Sequence, residues 1–238
     1  MASPDSFERA FSLAAELMDL AWECQSPAIL LTEKHLSESS ADIFPEELSL
    51  PSAPEALVSE AKPYKRYAVT ESGVSPLEFP GSEHADEDDV IKWNSHEHLE
   101  SGVRTDGAEV MVMMKDKRLR KAETVKRATK KHQRVAVYGA GESLVFAYGS
   151  TALELREAMQ HHPFKLVVPI YLEPFPCEEL EAYRGCEAII VEHSSQPNFA
   201  EFLRIKLDIK AKANILRYDG RHWDSKELAE RVREAENA

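Results

Sequence analysis

The chain has 238 residues, 43% of them hydrophobic and 30% charged, a balance that fits a water-soluble protein of one large or two small domains. A formal net charge of −13 and a pI near 5.2 exclude broad nucleic-acid or anionic-membrane binding. Nine glycines against 13 prolines leave little material for a Gly-rich phosphate loop. Cys24, Cys177 and Cys186 form no CxxC and fit neither a disulfide framework nor a zinc or iron–sulfur site, so a reducing, cytoplasmic setting is expected. No apolar run approaches the roughly 18 residues of a membrane span, and the first residues lack the basic flank and apolar stretch of a signal peptide.

Phe7, Phe11, Ala14, Leu17, Met18 and Ala21 recur at helical spacing, which predicts a helix ending near Gln25-Ser26-Pro27. Ala28–Leu31 is wholly apolar and reads as a buried strand, with Thr32 capping a short helix through Ser37. One strand needs neighbours, so partners from elsewhere, including another chain, are expected. Ser39–Lys65 carries Pro45, Pro51, Pro54 and Pro63 among acids and reads as a surface connector. Tyr67–Gly81 holds Gly73, Pro76, Pro80 and Gly81, which exclude a helix and predict a shaped loop. Its Thr70, Glu71, Ser72 and Ser75 offer a ligand or a partner several hydrogen-bonding groups.

Ser82–Asp89 is acidic but lacks the EF-hand pattern, and reads as a solvated loop. Val90–Trp93 suggests a short strand. His96-Glu97-His98 lacks the HExxH spacing and reads as turn residues rather than a metal site. A long helix is expected from Ala108 to about Lys131, capped by Asp106. Nine of the residues in Lys115–Lys131 are Lys or Arg, giving either a solvated face or one that meets the acidic loop or a partner.

From Arg134 strands alternate with helices: strands at Arg134–Tyr138, Leu144–Tyr148, Lys165–Leu172, Ala188–Val191 and Asn214–Tyr218, helices at Ala152–His161, Glu178–Tyr183, Phe199–Ile209 and Ser225–Glu236. This predicts a parallel sheet covered on both faces. Ligands then belong outside the C-terminal strand ends, at Gly149-Ser150-Thr151, Leu172–Pro174, Glu192–Ser194 and Asp219–Arg221. Ser150 and Thr151 open a helix, where they either cap it or present N–H groups to an anion. Gly139-Ala140-Gly141 lacks the third glycine and the helix of a dinucleotide fingerprint, and Ser150, His193 and Asp219 lack a nucleophile elbow.

Several stretches together resemble the α subunit of 2-oxoacid:ferredoxin oxidoreductases of the 2-oxoglutarate and pyruvate class. Thr70–Gly81 is similar to that family's T-E-[DS]-G-[IV]-S-P-R-x-x-P-G loop, and Asn94–His98 to N-S-x-E-H. The following helix resembles M-x-x-K-R-x-x-K. Tyr148–Thr151 is similar to W-G-S-T, Tyr171–Pro176 to Y-L-x-P-F-P, and Tyr218–Trp223 to Y-D-G-R-P-F. Pro27–Leu36 resembles the P-V-[IV]-x-L-x-[DE]-x-x-L end of the pyrimidine-binding domain. The resemblance implies an α/β chain: the end of a pyrimidine-binding-type unit and linker at 1–65, a substrate-type loop and basic helix at 66–132, and a transketolase C-terminal-like domain at 133–238.

The resemblance also implies a hetero-oligomer with a β-type subunit that carries thiamine diphosphate, Mg²⁺ and iron–sulfur clusters. It would act on a 2-oxoacid and CoA and pass electrons to ferredoxin, with no cofactor and no catalytic residue in this chain. The implied substrate-loop residues are Thr70, Ser75 and Leu77. Interface or anion-binding candidates are Gly149, Ser150, Thr151 and Glu192. Leu77 stands where the family loop has an Arg that pairs with the substrate carboxylate, and Leu cannot supply that fork. Glu192–Asn198 departs from E-x-N-x-x-G-Q, and the thiamine-activating Glu and the Y-P-I-T-P loop have no counterpart in this sequence. Two readings follow: a subunit active only with other chains, or a non-catalytic scaffold that keeps the fold.

Overall fold

The computed structural model describes residues 1–44, 46, 48, 62–83, 85–86, 89 and 96–237; the strand expected at 90–93, Asn94-Ser95 and most of the connector lie outside the described residues. The chain divides into two compact units, one of residues 1–17, 29–51 and 132–238, the other of residues 18–28 and 52–131.

The larger unit is built on a five-stranded sheet of order β1-β3-β2-β4-β5. Its strands are β1 (Val135–Tyr138), β2 (Leu144–Phe146), β3 (Lys165–Pro169), β4 (Glu187–Glu192) and β5 (Lys210–Leu216). β2, β3, β4 and β5 pair in parallel, joined by crossovers that contain α4 (Thr151–Ala158) and α5 (Asn198–Leu207); α6 (Ser225–Glu236) follows β5. The stretch expected as a helix at Glu178–Tyr183 is only a 3₁₀ turn at Glu181–Tyr183.

One expectation fails at the edge: β1 pairs antiparallel to β3. The reason lies in the link to β2. A parallel return needs a crossover of a dozen or more residues, whereas Gly139–Ser143 holds only a turn. Its glycines admit the Pro163–Phe164 backbone, since a Cβ on Gly139 or Gly141 would lie 2.4 Å from the nearest Phe164 backbone atom.

Alternation along the strands sorts the core. Phe146, Val167 and Ile190 cluster with Phe199, Leu203 and Leu207 of α5. The alternate residues Val145, Leu166, Val168, Ile189 and Val191 are equally buried, alongside Leu155 of α4 and Leu228 and Val232 of α6. Burying a dozen such side chains at about 1.5–3 kcal/mol each is what holds the layers together.

Ala28–Leu31 does not form a strand. Leu30 makes one parallel bridge to Ala2, which also bridges antiparallel to Tyr171. The Ala2 N–H donates to Ile29 O (3.0 Å), and the Leu31 and Ser3 N–H groups donate to Ala2 O and Ile170 O (2.8 Å each). The neighbour this segment needs therefore comes from the chain's own first residues. α1 (Phe7–Cys24) and α2 (Lys34–Glu38) form close to their expected bounds, although α2 starts from Glu33 rather than Thr32.

In the smaller unit the regular element is α3 (Ala108–Thr129), which starts from Gly107 with no side-chain cap; Thr105 Oγ1 instead accepts the Gly107 N–H at 3.1 Å. The Tyr67–Gly81 loop lies along α3. The acidic stretch around it has its own cation: Lys62 Nζ is 3.3 Å from both Glu78 and Asp86, and it also bonds Asp89.

Candidate functional site

Both units carry pockets lined by charged side chains. In the smaller unit the loop folds onto α3 through Gly73, which is left-handed (φ +75°) and so close to the helix that a Cβ would lie 2.4 Å from Lys117 O and Lys121 N. The Thr124 hydroxyl donates to Ser72 O at 2.7 Å, and Arg120 Nε donates to Thr70 O at 3.4 Å. Helical spacing of three and four places Met114, Lys117 and Lys121 on the face toward the loop. Lys117 is buried, although the basic run read equally as a solvated face. Its Nζ donates to Tyr67 O at 3.0 Å and to the Ser75 hydroxyl, which in turn donates to Ala68 O at 3.0 Å.

Gln25 closes this network: its side-chain oxygen accepts from Arg66 at 3.0 Å, its side-chain amide donates to Ser75 O, and Lys121 Nζ donates to its backbone carbonyl at 2.8 Å. The Tyr67 ring stacks on His98 with centroids 3.4 Å apart and carries the Arg66 guanidinium 5.1 Å from its centre. Around these groups lies a cavity of about 240 Å³ lined by Arg66, Ser75, His98, Lys117, Arg118 and Lys121 among others. Burial, reinforced by Lys121, Arg66 and Arg118, depresses the Lys117 pKa to about 8. Four cations and a hydroxyl around one small cavity suit a compact anion such as a carboxylate.

Of the implied substrate-loop residues Thr70, Ser75 and Leu77, Ser75 lines this pocket and the other two do not. The Thr70 hydroxyl ties the loop to itself, donating to Val74 O at 2.8 Å. Leu77 is 3% exposed, a core side chain. Glu97 makes a paired contact with Arg118 (2.8 and 2.9 Å), and His98 is buried, which lowers its pKa, with its ring stacked on Tyr67.

In the larger unit the chain leaves β2 for β3 on one side, then crosses to β4 on the other. The gap between β2 and β4 is therefore the switch point of the sheet. Outside it lies a pocket of about 440 Å³ lined by Glu33, His35, Ser150, His193, Arg217 and His222 among others. Gly149 turns left-handed there (φ +64°), where a Cβ would lie 2.9 Å from Ser3 Oγ. Ser150 neither caps α4 nor faces open space; its hydroxyl donates to the Glu33 carboxylate, which works against an anion at this turn. Thr151 is buried with its hydroxyl unpaired. Glu192 is also buried, and both its oxygens accept the Phe199 N–H at 3.1 Å, so it serves the start of α5.

Beside this pocket Glu154, 4% exposed, collects three histidines. His193 Nε2 is 2.7 Å from Oε2, and the Nδ1 atoms of His35 and His222 are each 3.6 Å from Oε1. Among the described residues this is the group of His, Cys, Asp and Glu atoms close enough to share an ion; Cys24, Cys177 and Cys186 belong to no such group. Lys117 and Lys121 were within reach of sequence reading through their helical spacing with Met114. The His35, Glu154 and His222 cluster was not, because its members are far apart in the chain and only the fold assembles them.

No family model matches the chain. It is 29% identical over 240 residues to 2-oxoacid:ferredoxin oxidoreductase 1, subunit alpha, of Sulfurisphaera tokodaii, with 97% of this chain and 37% of the relative covered. It is also 29% identical over 248 residues to 2-oxoacid:ferredoxin oxidoreductase 2, subunit alpha, of Aeropyrum pernix, covering 98% and 37%. The chain is similar to 2-oxoacid:ferredoxin oxidoreductase α subunits. It spans about 37% of the length of these curated relatives. The solved 2-oxoglutarate:ferredoxin oxidoreductase from Magnetococcus marinus, with 2-oxoglutarate, coenzyme A and succinyl-CoA bound, matches with a TM-score of 0.78 at 24% identity, over 98% of this chain and 41% of that one. This supports the α/β fold. No helix among the described residues is long and apolar enough to cross a membrane.

Proposed function

We propose that the chain serves as a subunit of a 2-oxoacid:ferredoxin oxidoreductase, oxidising a 2-oxoacid to its acyl-CoA only when assembled with other chains. The observation that carries this reading is the similarity to curated α subunits along 97% of the chain. The pocket on α3 gives it chemical content: with Leu77 in the core, the substrate carboxylate is held by Lys117, Lys121, Arg118 and Ser75. By the resemblance, a β-type partner carries thiamine diphosphate, Mg²⁺ and the iron–sulfur clusters. Ferredoxin, the 2-oxoacid and CoA are partners of the assembly, in a cytoplasmic hetero-oligomer. The residue blocks 1–65, 66–132 and 133–238 remain its working division.

The test is reconstitution with a β-type subunit, followed by thiamine binding and 2-oxoacid-dependent viologen reduction. A stable complex that binds no thiamine overturns the reading.

A second reading, a scaffold that keeps the fold without the chemistry, is favoured by Leu77 at the place of the family's arginine. A Leu77→Arg variant is a poor test of it, because the side chain enters a core position. Losing a buried leucine already costs about 2–5 kcal/mol, and a buried unpaired charge adds to that. A complex that assembles, binds thiamine and stays inert toward several 2-oxoacids supports the scaffold; turnover excludes it.

A further inference from the structure

The histidine–glutamate cluster at the switch point is not used by the reading above. His35 Nδ1 is buried yet has no hydrogen-bond partner. It faces Glu154 Oε1 at 3.6 Å, too long for a hydrogen bond. His222 Nδ1 faces the same oxygen at the same distance, and the two rings lie 4.0 Å apart. All three donor atoms fall within 4.8 Å of one another. Donors bound to one tetrahedral ion at about 2.0–2.2 Å lie about 3.4 Å apart, close to the spacing here.

The carboxylate is also oriented. His193 holds Oε2 at 2.7 Å, and the Trp223 backbone N–H donates to Oε1 at 3.1 Å. Outer hydrogen bonds of this kind fix the ligands of metal sites. We propose that His35, Glu154 and His222 form a binding site for a zinc-type divalent ion, with His193 as a positioning residue and the fourth coordination position open to water in the 440 Å³ pocket.

The two imidazoles are borderline donors that suit Zn²⁺, which also accepts a carboxylate oxygen, while Ca²⁺ and Mg²⁺ call for an all-oxygen set. The site is a feature of this chain rather than of the motifs it shares. His222 stands where the Y-D-G-R-P-F pattern has proline, and His35 occupies an unspecified position of the Pro27–Leu36 pattern.

The test uses the full 238-residue chain, stripped with EDTA and titrated with ZnCl₂ by calorimetry and with Co²⁺ by visible absorption. One equivalent of Zn²⁺ should bind with Kd at or below about 1 μM, and Co²⁺ should give the intense absorption of a tetrahedral site. His222→Ala, on an exposed side chain, should keep the fold and weaken binding at least 100-fold; His35→Gln should do the same from the other ring. His193→Gln should weaken binding about tenfold. His161→Ala, in the same unit but hydrogen-bonded to Ser225, should bind as wild type. The proposal is overturned if the wild-type chain binds no stoichiometric Zn²⁺. It is overturned equally if His222→Ala and His35→Gln bind as wild type, or if His161→Ala loses as much as they do.

Discussion

Lys117 concentrates the chemistry of the smaller unit. Its ammonium is buried beside Arg66, Arg118 and Lys121; burial and these three cations lower its pKa, while Glu100 raises it, and the ammonium donates to Tyr67 O and to the Ser75 hydroxyl. The depressed pKa of about 8 has two consequences of opposite sign over one pH window. Anion binding in the pocket should weaken as pH rises through 8, because the native lysine loses its charge. Stability should rise over the same range. Below about 8 both folded and unfolded chains carry the proton, but between 8 and about 10 only the unfolded chain does, which favours folding by about 1.4 kcal/mol per pH unit. Titrating pyruvate or 2-oxoglutarate by calorimetry and measuring urea midpoints at pH 7, 8, 9 and 10 checks both, and Lys117→Met should abolish both trends. Gly73 decides whether the pocket exists. Gly73→Ala places a Cβ 2.4 Å from two backbone atoms of α3, in a conformation that costs a non-glycine residue about 1–2 kcal/mol in itself. It should lower the stability of this unit by at least that much and remove anion binding, and a variant with wild-type binding would refute the role given to the loop.

The elements show how far local pattern carries. Helices α1, α3, α5 and α6 have apolar spacing strong enough to fix their positions within a few residues, and four strands alternate as half-buried or buried runs should. What was not legible depended on distant neighbours. Ala28–Leu31 is as apolar as a strand, yet among the described residues it is bridged only to Ala2. β1 looks like its neighbours, but its direction is set by the five-residue turn that follows and by the close approach of Phe164. The same holds for the candidate residues. Ser75 lies in the pocket, whereas Glu192, which reads as a site residue at the end of β4, anchors the start of α5. Glu192→Ala should leave the Phe199 N–H buried without an acceptor and cost about 1–3 kcal/mol. Glu192→Gln, which keeps one acceptor, should cost less; thermal melts of the two variants test the order. Equal losses would mean that the carboxylate's charge, not its hydrogen bonds, is what α5 requires.

Across the molecule, chemistry is divided between the units. The loop and α3 make a cationic cavity in one, and the sheet's switch point gathers histidines around a carboxylate in the other. Under the proposed function thiamine diphosphate and the electron carriers lie on a partner, so binding and turnover should separate cleanly in experiment. The isolated chain should bind a 2-oxoacid weakly and reduce no viologen. Adding a β-type subunit with thiamine diphosphate and Mg²⁺ should create 2-oxoacid- and CoA-dependent reduction. In that complex Lys117→Met should raise KM for the 2-oxoacid at least tenfold, because removing a charged hydrogen bond from a desolvated site costs about 1.5–3 kcal/mol. His161→Ala, in the other unit and absent from the lining of the cationic cavity, should leave kcat and KM unchanged. If Lys117→Met leaves KM unchanged in an active complex, the carboxylate is held by another chain and the pocket on α3 is structural.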